Sequence, residues 1–298
     1  MNKALVPLLF TLVSLTWGTT WLAMKVAVET IPPIFATGMR FLFSAPILVG
    51  IAWITKTPLL FPAGQRFFQL IICLFYFAIP FTLMIYGEIY VSSSLAAIIF
   101  STMPAAVLIS SVFILNEKTS QAQIVGLIIA TLSLVNILVS ESGTAMAIEG
   151  HGWGFFALIS AVSIHAIIYV QCKKRCCHVS VITFNALPCF VAGLLLVSCG
   201  LFFEAPHITI FSSHSIWSTF YLGAFAGVFG ILCYFSLQQK VSSFKASLVF
   251  LIFPLIAIVL ESHVYDYDLS SLSKMLMIPL VAGIFFTLTP KKDSTTEN

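Results

Sequence analysis

Charged residues are scarce in this 298-residue sequence. Asp, Glu, Lys and Arg together make up 8% of it and hydrophobic residues 59%, and the mean hydropathy is +1.05. About a quarter of the residues of a soluble protein are charged, so a water-soluble fold is excluded. A backbone that crosses lipid must satisfy its own hydrogen bonds, and apolar runs of about 20 residues favour helices over the shorter alternating strands of a barrel.

The sequence also lacks the motifs of several functional classes. Because it has no GxxxxGKST phosphate loop, we do not expect the chain itself to hydrolyse ATP. No basic block or finger spacing points to a nucleic-acid partner. A nucleophile motif, an HExxH pair and an acidic metal cluster are missing too. We therefore predict no enzymatic activity and no cofactor; a membrane-embedded enzyme, with His165 and Glu88 as acid and base, and a passive channel or scaffold remain alternatives.

The seven cysteines do not indicate a disulfide framework. Their number is odd, and four of them fall inside apolar runs, where a thiol behaves as a small hydrophobe. Cys172, Cys176 and Cys177 with His178 could be read as a metal site, but they lack a second CxxC half, and a zinc site usually needs four well-spaced ligands. Whether these cysteines have a role stays open.

Charge-free stretches predict an all-α membrane protein with ten transmembrane helices. The first apolar run lacks an A-x-A cleavage site and is predicted to be a retained helix rather than a signal peptide. By hydropathy, the spans are Leu5–Ala23, Pro33–Ile54, Phe67–Gly87, Ser92–Leu115, Ala122–Val139, Gly152–Gln171, Ser180–Phe202, Ile216–Leu237, Ser243–Leu260 and Leu272–Thr289.

Basic residues divide unequally between the two sides of this ten-span arrangement. Lys25 and Lys274 fall on one side, and Arg40 falls inside a span. The other 11 of the 14 Lys and Arg residues fall on the opposite side. The positive-inside rule then places both termini in the cytoplasm of a multi-pass protein of the cell membrane, which is the inner membrane in a Gram-negative cell.

Two segments, one in each half of the chain, have similar sequences. VSSSLAAIIFSTMP (Val91–Pro104) and VSSFKASLVFLIFP (Val241–Pro254) are identical at six of 14 positions. Small residues can also recur simply because they let membrane helices approach. If the chain is duplicated, residues 1–145 and 146–290 are two five-helix repeats, followed by a polar tail, 291–298. Since five is odd, the repeats are inverted, which is the architecture of alternating-access carriers.

Several motifs occur in an order that resembles a known family. They are WGTTW (Trp17–Trp21), PPIFATGMRF (Pro32–Phe41) and YGEIYVSSSLAAIIFSTMP (Tyr86–Pro104), which leads into NEK (Asn116–Lys118). With the predicted spans and doubling, they resemble the drug/metabolite transporter superfamily in its EamA-like branch. The resemblance implies a central cavity and secondary transport of amino acids, related metabolites or drugs.

The second half departs from the pattern of that family in two places. Thirteen residues after Pro104 is Glu117, but thirteen residues after Pro254 is Tyr267. His165 also stands where the family commonly has an aromatic residue. Neither departure affects the predicted fold.

Arg40 is the most informative candidate site residue. It lies eight residues beyond Pro32, which is about 12 Å along a helix, and a charge at such a depth costs at least about 2.5 kcal/mol. It should therefore face the bundle interior. There it could bind a substrate carboxylate. Alternatively, it could have a structural role by bonding to helix-end carbonyls or to Glu88.

Other candidate substrate-binding residues are polar or aromatic. Glu88 could take a proton or contact an amine, or it could be merely interfacial. His165, with a reference pKa near 6.5, could couple transport to protons or could hydrogen-bond two helices. We predict that these two residues and Arg40 line the cavity with Trp17, Thr20, Tyr86, Tyr169, Tyr234 and Gln238.

The function predicted from the sequence is a secondary transporter for a small metabolite, an amino acid or a related compound. Its partners would be this substrate and the lipid bilayer, with protons as a candidate coupling ion. No nucleic acid is expected, and the sequence leaves the oligomeric state open.

Overall fold

The computed structural model of the chain is helical throughout its described regular elements. It describes residues 4–90, 96, 99–142, 152–264, 268 and 270–288, without the side chains of Glu88 and some other residues inside the helices. The predicted tail, 291–298, and half of the repeated segment Val91–Pro104 (residues 91–95, 97 and 98) lie outside the described residues.

The described helices follow the predicted apolar runs, and two stretches within them are π-helical. The α-helices are α1 Leu5–Ala27, α2 Pro33–Ile54, α3 Arg66–Ile72, α4 Ile79–Tyr90, α5 Met103–Leu115, α6 Gln121–Ser142, α7 Gly152–Arg175, α8 Val181–Phe203, α9 Ser213–Phe220, α10 Ile231–Lys240, α11 Ser243–Ser247, α12 Val249–Val264 and α13 Ser271–Leu288. The π-helical stretches, π1 Cys73–Ala78 and π2 Tyr221–Gly230, join α3 to α4 and α9 to α10.

Five of the described helical runs are long and apolar enough to cross a membrane. At about 1.5 Å per residue, 20 residues cover the roughly 30 Å of a hydrocarbon core. The five runs are Pro33–Ile54, Ala63–Gly87, Gly152–Arg175, Val181–Phe203 and Ser213–Lys240. Shorter apolar helices are Leu5–Thr20, Ile99–Leu115, Gln121–Ile137, Ser243–Ile256 and Ser271–Thr287. The prediction of an all-helical protein with several membrane-spanning helices is confirmed.

Helices α2 and α8 pack together along their lengths, because glycines let their backbones approach. A Cβ atom added to Gly38 would lie 2.5 Å from the Val197 nitrogen, and one on Gly200 would lie 2.8 Å from the Phe35 Cα. Membrane helices gain packing energy from such small residues. We call the glycines at this contact, Gly38, Gly193 and Gly200, the glycine seam.

Side chains also fasten α2 and α8 at both ends. The Glu204 carboxylate, which follows α8, accepts hydrogen bonds from the backbone nitrogens of Ile34 (2.9 Å) and Phe35 (2.8 Å). It thereby caps the first turn of α2, where backbone N–H groups have no partner within the helix. At the other end, Thr183 Oγ1 donates to the Pro58 carbonyl at 2.5 Å. The two helices are thus held as one unit.

Helices α6 and α13 form a second close pair. A Cβ on Gly126 would lie 2.6 Å from the Gly283 carbonyl oxygen, and one on Gly283 would lie 2.7 Å from the Ala130 nitrogen. This is the small-residue spacing typical of helix association in membranes.

Each π-helical stretch has a backbone carbonyl that accepts a bond from another helix. His165 Nε2 lies 3.1 Å from the Tyr76 oxygen in π1, and Ser44 Oγ donates to the Gly223 oxygen in π2 at 2.7 Å. A π-helical turn disturbs the regular backbone ladder, and buried carbonyls need partners. These bonds therefore stabilise both stretches where they pass through the bundle.

Candidate substrate cavity

A cavity of about 80 Å³ lies between the helices, and its walls come from both halves of the sequence. Its described walls are mainly aromatic and aliphatic. The lining residues are Trp17, Thr20, Met24, Arg40, Tyr76, Phe81, Met84, Phe100, His165, Tyr169, Ala226, Gly227, Ile231, Phe250 and Phe253. A mostly apolar cavity with a few polar groups is typical of a small-molecule site.

Arg40 is the only Lys, Arg, Asp or Glu among the described lining residues. Its side chain is 9% exposed, its Nε has no hydrogen-bond partner, and its Cζ lies 5.0 Å from the centre of the Phe81 ring. The only ion pair among the described residues joins Lys274 and Asp268. Contact with an aromatic face offsets only part of the cost of burying a guanidinium. Arg40 can therefore accept an anion from the cavity.

His165 forms the helix–helix hydrogen bond that was one of its two predicted roles. Its ring is 3% exposed, and because the Tyr76 carbonyl can only accept, the Nε2 atom at 3.1 Å is the protonated nitrogen. The ring stacks on Tyr169, with centroids 5.5 Å apart and planes 6° apart. His165 therefore both lines the cavity and fixes α7 against π1.

Trp17, Thr20 and Tyr169 also line the cavity. Thr20 Oγ1 donates to the Trp17 carbonyl at 2.7 Å, so this hydroxyl is partly engaged by its own helix. Tyr234 lies behind the wall, with its ring centroid 4.9 Å from that of Trp17. The Tyr234 hydroxyl is fully buried and has no hydrogen-bond partner.

Three other predicted residues are not among the described residues that line the cavity. Tyr86 does not line the cavity: it is 41% exposed and its hydroxyl lies 2.8 Å from that of Tyr90. Successive residues of an α-helix are about 100° apart, so Tyr86 points away from the face on which Met84 meets the cavity. Gln238 lies near the C-terminal end of α10, where its Nε2 donates to the Tyr169 carbonyl at 2.9 Å. The Glu88 side chain lies outside the described part of the chain.

Sequence reasoning missed several wall residues, and for two of them a signal was present. Phe100 and Phe250 occupy the same place in the repeated segments Val91–Pro104 and Val241–Pro254 and are identical there. Both line the cavity. Tyr76 was missed because nothing in a charge-free run distinguishes a tyrosine that faces a cavity from one that packs.

The chain matches a transporter family and individual relatives over nearly its whole length. The model of the EamA-like transporter family matches residues 5–139 and 152–289. The chain is 65% identical to Protein PagO of Salmonella typhimurium over 98% of this chain and 95% of that protein. It is 52% identical to an uncharacterized transporter of Buchnera aphidicola subsp. Schizaphis graminum, over 97% and 96%.

Two more distant similarities agree with the fold and the family. A probable amino-acid metabolite efflux pump of Salmonella typhimurium is 23% identical over 93% of this chain and 92% of that protein. A crystal structure superposes with a TM-score of 0.80 at 16% identity, covering 96% of this chain and 99% of that chain, which shows a shared fold. From the family match, the chain belongs to the EamA-like transporter family.

Proposed function

We propose that the chain is a secondary carrier that moves a small carboxylate-bearing metabolite, an amino acid or a related compound, across the cell membrane by alternating access. The observation that carries this proposal is Arg40, a buried guanidinium with an unpaired Nε in the wall of an otherwise mostly apolar cavity. A planar guanidinium binds a carboxylate through two parallel hydrogen bonds. The name of the distant relative, a probable amino-acid metabolite efflux pump, supports the substrate class.

The carrier would consist of two inverted repeats, 1–145 and 146–290, with five spans each. Two paired features support this arrangement. Lys56 and Ala205, 149 positions apart, both have positive φ, at 51° and 43°, just after α2 and α8. The two π-helical stretches begin 148 positions apart, at Cys73 and Tyr221. Inverted repeats place a substrate site between them near the midplane, where rocking can expose it to either side.

Counterflow in liposomes tests the proposal directly. The purified chain is reconstituted, loaded with an unlabelled amino acid or short organic acid, and supplied with a trace of the same labelled compound outside. We expect saturable accumulation for at least one carboxylate-bearing compound. Uptake that does not saturate would favour a channel, and turnover of a compound in detergent would favour an enzyme. Absence of counterflow across a broad carboxylate panel would argue against the proposed substrate class.

The proposed orientation places both termini and the Lys173–Arg175 end of α7 in the cytoplasm, because most basic residues fall on that side. We expect a Lys174→Cys variant in a cysteine-depleted background to resist an impermeant maleimide added outside intact cells and to react after permeabilisation. His214→Cys, also exposed but on the opposite side in this arrangement, should react in intact cells. Labelling of Lys174→Cys from outside would overturn the orientation.

Proton coupling is proposed through Glu88. It lies four residues after Met84, one helical turn along α4 from a lining residue. A carboxyl group that can protonate is a common proton carrier inside membranes, whereas Arg40 stays charged. His165 already uses Nε2 for the Tyr76 carbonyl.

We expect Glu88→Gln to keep substrate exchange at symmetric pH and to lose the stimulation produced by an imposed pH gradient. Counterflow and gradient-driven uptake in the same proteoliposomes measure the two activities. Glu29→Gln, at an exposed carboxylate, is the matched control and should behave like the wild type. A normal response to the gradient in Glu88→Gln would remove Glu88 from coupling.

A further inference from the structure

A second pocket, of about 40 Å³, lies beside the central cavity at the Lys173 end of the bundle. Its described lining includes Cys172, Lys173, Phe184 and Gln238 and shares no residue with the described lining of the central cavity. Yet α7 lines both spaces, with Tyr169 in the first and Cys172 in the second. The two spaces therefore follow one another along the same helix.

Buried rings in contact with one another lie between residues that line the two spaces. We call this set of rings the aromatic layer; it consists of Tyr76, Tyr169, Phe184, Tyr234 and Phe235. The Tyr76 ring lies 5.9 Å from Phe184, 5.3 Å from Phe235 and 5.6 Å from Tyr169, measured between centroids. Tyr76 and Tyr169 face the central cavity, and Phe184 and Phe235 face the second pocket. Displacing these rings would join the two spaces.

Polar contacts next to the aromatic layer hold α7 against α10. Lys173 Nζ donates to the carbonyls of Gln238 at 2.5 Å and Val241 at 2.8 Å. Gln238 Nε2 in turn donates to the Tyr169 carbonyl at 2.9 Å, within the layer itself. Hydrogen bonds that involve a charged group are stronger than neutral ones. Lys173 and Gln238 therefore connect α7 to α10 beside the aromatic layer, and we call these two residues the latch.

We propose that the second pocket is the far end of the transport path, where the carboxylate-bearing substrate binds on its way past Lys173, and that the aromatic layer is the gate between the two sites. This inference rests on the proposed carrier function. Lys173 supplies a cation for the substrate anion beyond Arg40, and Gln239 supplies an amide. The unpaired Tyr234 hydroxyl, which costs free energy while buried, would gain partners when the layer opens.

Native thiols allow the gate to be tested without knowing the substrate. The full-length chain is prepared with all cysteines replaced except Cys172, which lines the second pocket, or except Cys189, which is fully buried in α8 away from it. An impermeant maleimide is added on the outer side of right-side-out membrane vesicles, so that in the proposed orientation it can reach Cys172 only through the central cavity and the aromatic layer. The reaction of each thiol is timed. The gate is loosened by Lys173→Met, which removes the charged latch, or by Gln238→Leu, which leaves every charge in place.

We expect Lys173→Met to speed the labelling of Cys172 by about tenfold, the effect of losing hydrogen bonds to a charged group. Gln238→Leu loses one neutral hydrogen bond, to the Tyr169 carbonyl, and should speed it by about threefold. Neither variant should change the labelling of Cys189. Unchanged Cys172 rates in both folded variants would overturn the gate, as would an equal rise at Cys189. Because labelling needs no substrate, this result is independent of counterflow. Loss of counterflow alone would contradict only the carrier function.

Discussion

Replacing Arg40 with lysine should reduce saturable counterflow to about a tenth or less while the protein still inserts and folds. Lysine keeps the positive charge but loses the planar fork that holds a carboxylate through two hydrogen bonds. The loss of one charge-assisted bond is worth about 1.5–3 kcal/mol, or roughly ten- to a hundredfold in binding. The measurement is counterflow per folded molecule, with folded protein quantified by size-exclusion chromatography in detergent.

Arg175→Lys is a suitable control for this substitution. Arg175 also lies over a phenylalanine, with its Cζ 5.1 Å from the Phe68 ring centre, but it is exposed at the end of α7 and outside the cavity. It should retain wild-type transport. If Arg40→Lys transports normally per folded molecule, Arg40 does not bind the substrate; if it only loses folded protein, the guanidinium is a structural tie.

The substitution Gly38→Leu should abolish folding rather than impair transport selectively. A Cβ at this position would lie 2.5 Å from the Val197 nitrogen and 2.9 Å from the Leu196 carbonyl carbon. Both atoms belong to the backbone, so neither can turn aside as a flexible side chain would. Overpacking a tight interior typically costs about 1–3 kcal/mol or more. We expect little monodisperse protein after extraction and a clearly lower thermal midpoint for what remains.

The matched control lies on the same helix. Gly50 has no atom within 4 Å of an added Cβ, so Gly50→Leu introduces the same side chain in α2 into open space. It should extract and melt like the wild type. Equal behaviour of the two variants, whether both stable or both lost, would show that the close approach of α2 and α8 does not determine stability.

How much the sequence could predict depends on the kind of physics involved. Because charged residues are scarce, most of the surface of the protein must face lipid rather than water. The helical membrane class therefore follows from composition. Arg40 could be found because a charge inside a span is costly wherever it occurs. Its neighbours could not be found this way, because packing against Phe81 depends on how α2 and α4 meet.

The bond between His165 and Tyr76 shows a second limit. Its acceptor is a backbone carbonyl that is available in the π-helical stretch Cys73–Ala78. Every residue type has that carbonyl, so no residue pattern marks it. Tyr86 shows a related limit: it lies two residues before the predicted Glu88 along the chain, but the helix turns its side chain outward.

The glycine seam limits how this protein can change during evolution. Glycine is the smallest residue, so every mutation at Gly38 or Gly200 adds at least one carbon atom. A neighbouring side chain could become smaller to compensate, but the nearest atoms at these positions include backbone atoms of Val197 and Phe35, which no mutation can remove. We therefore expect glycine at both positions in every sequence that keeps this contact between α2 and α8.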